Sequence, residues 1–300
     1  MRLSIWIKCL KSPLGLSLAS QELTDERVMI IWAVCSPSCS APQRSGVLVA
    51  RFRREAFSSP QSADGTLYGM LAYSVVIPAY NEEKSIARAV RETRRVFRLY
   101  RKPFEIIVVD DGSDDATRKA VLGIKEKIPE LVLVRHRANL GKGAAIRTGS
   151  LAARGRHVLF LDADLATHPS EFTRFRPHLA DHDILIGSRR VAGAQISVRQ
   201  PIHRHWLGRA FNLAVRHYLK LPYRDTQCGF KVLSRSVIPL LRLQVSRGWA
   251  FDVELLKRAQ ARGLRVKEFP VSWNHGRETR VRLGHAWGIL KELERIKRVA

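Results

Sequence analysis

The chain has 300 residues, 45% of them hydrophobic, which is the length and mix of one large globular domain or two small ones. Its 52 Lys and Arg outnumber 27 Asp and Glu for a formal +25, so phosphates, nucleic acid and anionic lipid are the expected partners, and charge alone does not choose among them. Four cysteines without paired spacing give neither a disulfide framework nor a zinc pattern. The best apolar run, Val28 to Cys35, is far short of the roughly 18 residues of a membrane span. Residues 1–69 show neither helical nor alternating periodicity, and Met70 stands just before a strong apolar run. The expectation is that 1–69 form a disordered extension or precede the natural start of translation. From Tyr73 the pattern alternates. Strands are predicted at Ser74–Pro78, Glu105–Asp110, Leu131–Val134, His157–Leu161 and Asp183–Ile186, with helices over about 82–100, 114–127 and 142–153 between them. A tail from His285 to Val299 sets Trp287, Leu290, Leu293 and Ile296 on one face of a basic amphipathic helix, suited to packing on the domain or to an anionic membrane surface. Apolar strands separated by helices predict an α/β fold with a mostly parallel sheet covered on both faces. Ligands of such sheets gather at the carboxyl ends of the strands.

The unusual polar residues fall at those ends. Pro78-Ala-Tyr-Asn-Glu-Glu83 leaves the first strand; Asn81 suits a helix cap and Glu82 and Glu83 suit a first turn, or the segment contacts a ligand. In Asp110-Asp-Gly-Ser-Asp-Asp115, capping accounts for Ser113, Asp114 and Asp115 but not for Asp110 and Asp111. Carboxylates at those two positions are placed to hydrogen-bond the base and ribose of a nucleotide. Asp162-Ala-Asp164 follows the fourth strand, and side chains two apart on an extended segment point the same way. Both carboxylates then reach one hard cation, Mg2+ or Mn2+, that bridges phosphate oxygens.

Asn139-Leu-Gly-Lys-Gly143 lets the backbone approach a ligand and offers Lys142 to phosphate. It is not a P-loop, since His136 and Ala144 stand where Gly and Ser or Thr are needed; Ile146 likewise breaks the dinucleotide fingerprint. Gly187-Ser-Arg-Arg190 ends the fifth strand and leads into a stretch where Arg199, Arg204 and Arg209 accompany Trp206, Phe211 and Asn212. In Trp249-Ala-Phe-Asp-Val-Glu-Leu255, the aromatics read as core. Asp252 sits among apolar residues, where an ionised carboxylate needs a partner or a purpose. It is a candidate catalytic or orienting group. Cys228, in Asp225-Thr-Gln-Cys-Gly-Phe-Lys231, reads as a buried small residue.

Together these motifs resemble the inverting family 2 glycosyltransferases of the GT-A fold, and within them the dolichyl-phosphate glucosyltransferase and dolichol-phosphate mannose synthase group. The resemblance runs from about Tyr73 to Ala300. Its most specific marks are Val75-Val-Ile-Pro-Ala-Tyr-Asn-Glu82, Val109-Asp-Asp-Gly-Ser113, Asn139-Leu-Gly-Lys-Gly143 and Asp162-Ala-Asp164. The Asp225–Lys231 and Trp249–Leu255 motifs point toward the glucosyltransferase branch. Ala166, where the mannose synthases carry Gln, points away from mannose and from a third protein metal ligand.

The resemblance implies a Rossmann-like nucleotide-sugar half over 70–165, an acceptor half over 166–284 and the helix of 285–300. Pro78, Tyr80, Glu82, Val109, Asp110, Asp111, Lys142 and Ala163 would contact the donor, and Asp162 and Asp164 its metal. Arg280 would lie over the diphosphate, and Arg189, Arg204 and Arg209 would grip the acceptor phosphate. The implied reaction moves a hexose from UDP-glucose or GDP-mannose to a polyprenyl phosphate with inversion. It would take place at the cytoplasmic face of a membrane, reached peripherally or through a membrane partner protein. A saccharide hydroxyl as acceptor would instead require Asp252 as base. A nucleic-acid-binding protein would cluster its basic residues without three acidic strand ends facing one cleft, and no nucleic-acid partner is expected. A nucleotidyltransferase shares the paired carboxylates but would release pyrophosphate.

Overall fold

The computed structural model describes residues 71–197, 212–246, 248, 250–274 and 286–298, with four three-residue strands in the first 51 residues. The chain divides into two units, Met1–Tyr68 and Gly69–Ala300. In the first, Cys9–Lys11 pairs antiparallel with Ser17–Ala19, and Val28–Ile30 with Val49–Arg51, four short strands that the scattered composition did not predict. The expectation for the rest of 1–69 falls outside the described residues.

The second unit is built on a seven-stranded sheet. Its strands are β1 (Tyr73–Ala79), β2 (Phe104–Asp110), β3 (Leu131–Arg135), β4 (His157–Phe160), β5 (Ile184–Ser188), β6 (Lys231–Ser234) and β7 (Val266–Pro270). They lie in the order β7-β5-β6-β4-β1-β2-β3, all parallel to their neighbours except β6, which runs antiparallel between β4 and β5. Successive strand residues face opposite sides. Val75, Ile77, Ile106, Val108 and Leu159 therefore enter one core with Phe97, Phe172 and Phe175. Val76, Ile107, Val109, Val158 and Phe160 enter the other with Ile146, Phe251 and Leu255.

Helices cover both faces, as the apolar strands require. On the first side, α1 (Ile86–Leu99) buries Ile86, Ala89, Val90, Thr93, Val96 and Phe97, the three-to-four spacing of one helical face. Beside it lies α2 (Thr117–Lys125). On the second side, α3 (Lys142–Ala152) approaches β1 so closely that a Cβ on Gly149 would stand 2.5 Å from the Val76 Cγ1. Also on that side are α4 (Phe251–Ala261) and the tail helix α5 (Ala286–Arg298), whose Leu293 and Ile296 are buried in the second core. The tail therefore packs on the domain, while the side chains of Trp287 and Leu290 lie outside the described residues. Because β6 is antiparallel, the Asp225–Lys231 segment that enters it arrives at the edge where β1, β2, β4 and β5 end. One sheet edge thus collects every acidic motif and the Asp225–Lys231 segment.

Candidate active site

The exits of β1 and β2 are latched to each other. Asn81 N–H donates to Ser113 Oγ at 3.0 Å, and Asn81 Oδ1 accepts from the Asp114 N–H at 3.0 Å. Glu82 N–H donates to Thr117 Oγ1 at 2.7 Å, and Glu83 Oε2 accepts from Ala116 N–H at 3.1 Å. Asn81 therefore caps the turn before α2 rather than its own helix, whose N-cap position is Ser85. Asp115 accepts from Thr117 N–H at 2.9 Å in the turn before α2, whose N-cap position is Ala116. Pro78, Tyr80 and Glu82 remain half-buried at this edge, with Tyr80 Oη 3.4 Å from Asp114 Oδ2.

Asp110 and Asp111 are buried, and three of their four oxygens accept hydrogen bonds inside the protein, Asp110 Oδ2 being the exception. Asp110 Oδ1 accepts from Ser113 N–H at 2.9 Å, and its Oδ2 lies 3.4 Å from Arg135 Nε. Asp111 Oδ1 accepts from Leu140 N–H at 3.0 Å and meets His136 Nδ1 at 2.6 Å; its Oδ2 accepts from Gly141 N–H at 2.8 Å. Asp111 thus holds the loop that delivers Lys142, with Gly141 at φ 96°, a left-handed angle that favours glycine. Asp111 is held by the β3–α3 loop, whereas Asp110 keeps one buried oxygen, Oδ2, without a hydrogen bond. Val109 is wholly buried beneath α3, and Ala163 is packed in the first core.

The opposite side of the edge is ionic. Lys142, at the start of α3, donates to Asp162 Oδ1. Burial works against the Lys142 charge, but Asp162, Asp252 and Asp164 outweigh it and hold the ammonium protonated to higher pH than an ordinary lysine. Burial alone would raise the Asp162 carboxyl; Lys142, with Lys231 and Arg189 farther off, pulls it below the usual range. Asp164 goes the other way, raised by burial and then by the charge of Asp162. Its Oδ1 accepts from Ala166 N–H at 2.9 Å. Leu165, next in line, takes the left-handed φ of 56°, a sparsely populated setting for a branched residue. A Cβ on Gly229 would stand 2.1 Å from Asp162 Oδ2, so that position leaves room for the carboxylate only as glycine.

Two further pairs stand beside this one. Arg189 grips the buried Asp225 with two nitrogens, Nε at 2.7 Å and Nη2 at 3.0 Å, and lies 5.4 Å from the Trp273 ring centroid. Despite burial, which acts upward, Arg189 holds the Asp225 carboxyl at about 2. Arg189 is therefore already paired with a protein carboxylate, which the reading of it as a phosphate clamp did not foresee. Lys231, fully buried, donates to Asp252 Oδ1 at 2.5 Å and to the Cys228 carbonyl at 2.5 Å. Cys228 is buried as expected, and burial pushes its thiol up to about 11.

Arg199, Arg204, Arg209, Trp206, Phe211, Trp249 and Arg280 lie outside the described residues. Sequence reasoning gave no role to Asp225, Lys231, His136 or Gly229. The available signal was chemical: Lys231 and Asp252 are lone opposite charges in apolar surroundings, each needing a partner. His178, Asp181 and His182 bring ligand atoms within 4.8 Å of one another, but they precede β5 and so lie toward its amino end, away from this edge.

The family model described as glycosyl transferase family 2 matches residues 74–240, more than half of the chain. A dolichyl-phosphate beta-glucosyltransferase of Trichomonas vaginalis is 37% identical over 69% of this chain and 65% of its own length. One of Drosophila melanogaster is 38% identical over 68% of this chain and 67% of its own. The chain thus spans about two thirds of the length of these relatives. Among solved structures, S. aureus TarS 1–349 aligns with a TM-score of 0.53 at 19% identity, covering 76% of this chain and 65% of that one. Glucosyl-3-phosphoglycerate synthase from Mycobacterium tuberculosis, solved with Mn2+, UDP and glucosyl-3-phosphoglycerate, aligns with a TM-score of 0.51 at 23% identity, covering 76% of each chain. The sheet order and these alignments make the fold GT-A. The chain belongs to glycosyl transferase family 2.

Proposed function

We propose that the chain transfers glucose from UDP-glucose to a polyprenyl or dolichyl phosphate, inverting the anomeric carbon. The observation that carries this is the Lys142–Asp162–Asp164 group at the sheet edge where β1 and β2 also end, in a chain whose relatives are dolichyl-phosphate beta-glucosyltransferases. The 70–165 half would take the nucleotide, with Pro78, Tyr80 and Glu82 at the surface and Asp110, Asp111 and Val109 forming the wall behind them. The 166–284 half would take the acceptor.

Two carboxylates share one lysine in this group, and burial beside Asp162 raises Asp164, so an oxygen-liganded divalent cation fits the surplus negative charge. Asp162 and Asp164 would hold Mg2+ or Mn2+, which supplies positive charge to the leaving diphosphate. Lys142 adds its own charge to the same leaving group and exchanges Asp162 for phosphate oxygens. A phosphate monoester is mostly dianionic at neutral pH, so its oxygen attacks the anomeric carbon unaided while the bond to the diphosphate breaks and UDP departs. Asp252 would then orient the sugar rather than remove a proton. Among the described residues no helix is long and apolar enough to cross a membrane, and attachment is proposed to be peripheral, at the cytoplasmic face.

The test offers radiolabelled UDP-glucose, UDP-galactose, UDP-N-acetylglucosamine and GDP-mannose to membranes containing the protein, with and without Mn2+. Label from UDP-glucose should enter a mild-acid-labile lipid fraction. Label in a water-soluble saccharide would replace the lipid acceptor, and label from GDP-mannose would replace the sugar.

A further inference from the structure

We propose that Lys231 is a positioning residue for the transfer, holding one oxygen of Asp252 so that the other faces the donor sugar. Lys231 opens β6 and is paired with Phe160 of β4 on one side and Ile186 of β5 on the other, so its backbone is fixed from both flanks. Its side chain is fully buried, and its ammonium stands 5.7 Å from the Phe160 ring centroid. A buried ammonium without partners would be strongly destabilising. Lys231 has two, the Cys228 carbonyl and Asp252 Oδ1, each at 2.5 Å.

Asp252 sits in the first turn of α4, where the helix dipole also favours a carboxylate. Its Oδ1 is committed to Lys231, whereas its Oδ2 has no hydrogen-bond partner among the described residues. Lys142 feels the charges of Asp162, Asp252 and Asp164 together, which places Asp252 in the same electrostatic neighbourhood as the proposed diphosphate site. The arrangement is a buried cation, a carboxylate held by one oxygen, and a second oxygen left for ligand. The carboxylate is thus set in orientation before substrate arrives, which is the condition for an oriented contact to act on the bound sugar.

This inference rests on the sugar-transfer reading, and its test separates the two. The rates of UDP-glucose transfer to polyprenyl phosphate are compared for the parent, Lys231→Met, Asp252→Asn and the double variant, with donor KM and thermal unfolding measured on each. Lys231→Met and Asp252→Asn should each lower kcat about 100-fold with donor KM changed less than about threefold, the pattern of a contact realised in the transition state. The double variant should fall within about threefold of Asp252→Asn, because Lys231 acts through Asp252. Where Lys231→Met alone does not fold, the double variant, which removes both charges, still decides the comparison against Asp252→Asn. Losses that multiply in the double variant, or a Lys231→Met effect confined to thermal unfolding, would overturn the proposal while leaving sugar transfer intact. A folded parent that transfers no sugar refutes the reading, and the positioning role falls with it.

Discussion

The two sides of the sheet edge are built by different means. Where β1, β2 and β3 end, hydrogen bonds between side chains and backbone predominate, Asn81 to Ser113 and Asp114, Glu82 to Thr117, Asp111 to Leu140 and Gly141, with Arg135 and His136 set beside Asp110 and Asp111. Where β4 and β5 end and β6 begins, side chains meet side chains as ion pairs: Lys142 with Asp162, Arg189 with Asp225, Lys231 with Asp252. The difference has a physical meaning. Backbone N–H groups tied to buried carboxylates cannot leave without exposing an unsatisfied donor, so the first side is a fixed frame. An ion pair can exchange one anion for another at small net cost, so the second side can pass Lys142 from Asp162 to a phosphate. Its two deeper pairs, at Asp225 and Asp252, stay put.

Removing a frame carboxylate gives the largest expected effect. Asp111→Ala leaves Leu140 N–H, Gly141 N–H and His136 without their acceptor, a loss of about 3 kcal/mol and a melting temperature lower by roughly 6–12 °C. Thermal unfolding checks it. A variant that melts with the parent would break the distinction between frame and exchangeable pairs.

Next is the acid response of the Arg189–Asp225 pair. The Asp225 carboxyl lies near 2 in the folded chain, below its unfolded value of about 3.9. Its contribution, about 2–3 kcal/mol, is therefore fully present well above pH ~4 and lost as pH falls through ~4 to ~2. Denaturant unfolding between pH 5 and 2 should show Asp225→Asn less acid-sensitive than the parent. Parallel curves would mean that the pair is not a fixed one.

The smallest effect sharpens the picture on the exchangeable side. Gly229→Ala puts a methyl group where the Asp162 Oδ2 now lies, 2.1 Å from the new carbon, and the carboxylate must turn away. Transfer should fall about tenfold, equal to ~1.4 kcal/mol of transition-state stabilisation, with thermal stability little changed. Parental rates would show that the placement of Asp162 is not critical.

The frame was more legible in the sequence than the ionic side. Val75–Ile77 and Ile106–Val109 are continuous apolar runs because strands buried on both faces must be, and Asp115 and Gly112 announce a turn before a helix. Strand β6 was not predicted because Lys231 interrupts its apolar run, and β7 because Val266-Lys-Glu-Phe269 sets two charges side by side between its apolar residues, neither a continuous nor an alternating pattern. The charge pairs join residues 20 or more positions apart, and no local pattern states which carboxylate meets which cation. Sequence logic did say that Asp252 needed a partner; only the antiparallel turn of the chain into β6 shows that it is Lys231. The internal partners of Asp110 and Asp111 were hidden for the converse reason, because the N–H groups of Ser113, Leu140 and Gly141 that they accept from leave no trace in side-chain identity.

The most direct test of the exchangeable side is a single-turnover experiment with the full chain, UDP-[14C]glucose, polyprenyl phosphate and Mn2+, run beside Asp162→Asn/Asp164→Asn. The account predicts that the parent moves label into lipid with one UDP released per sugar, and that the double variant, folded and melting close to the parent, falls about 1000-fold or more. Lipid labelled by the variant at the parental rate, or pyrophosphate released in place of UDP, would contradict it.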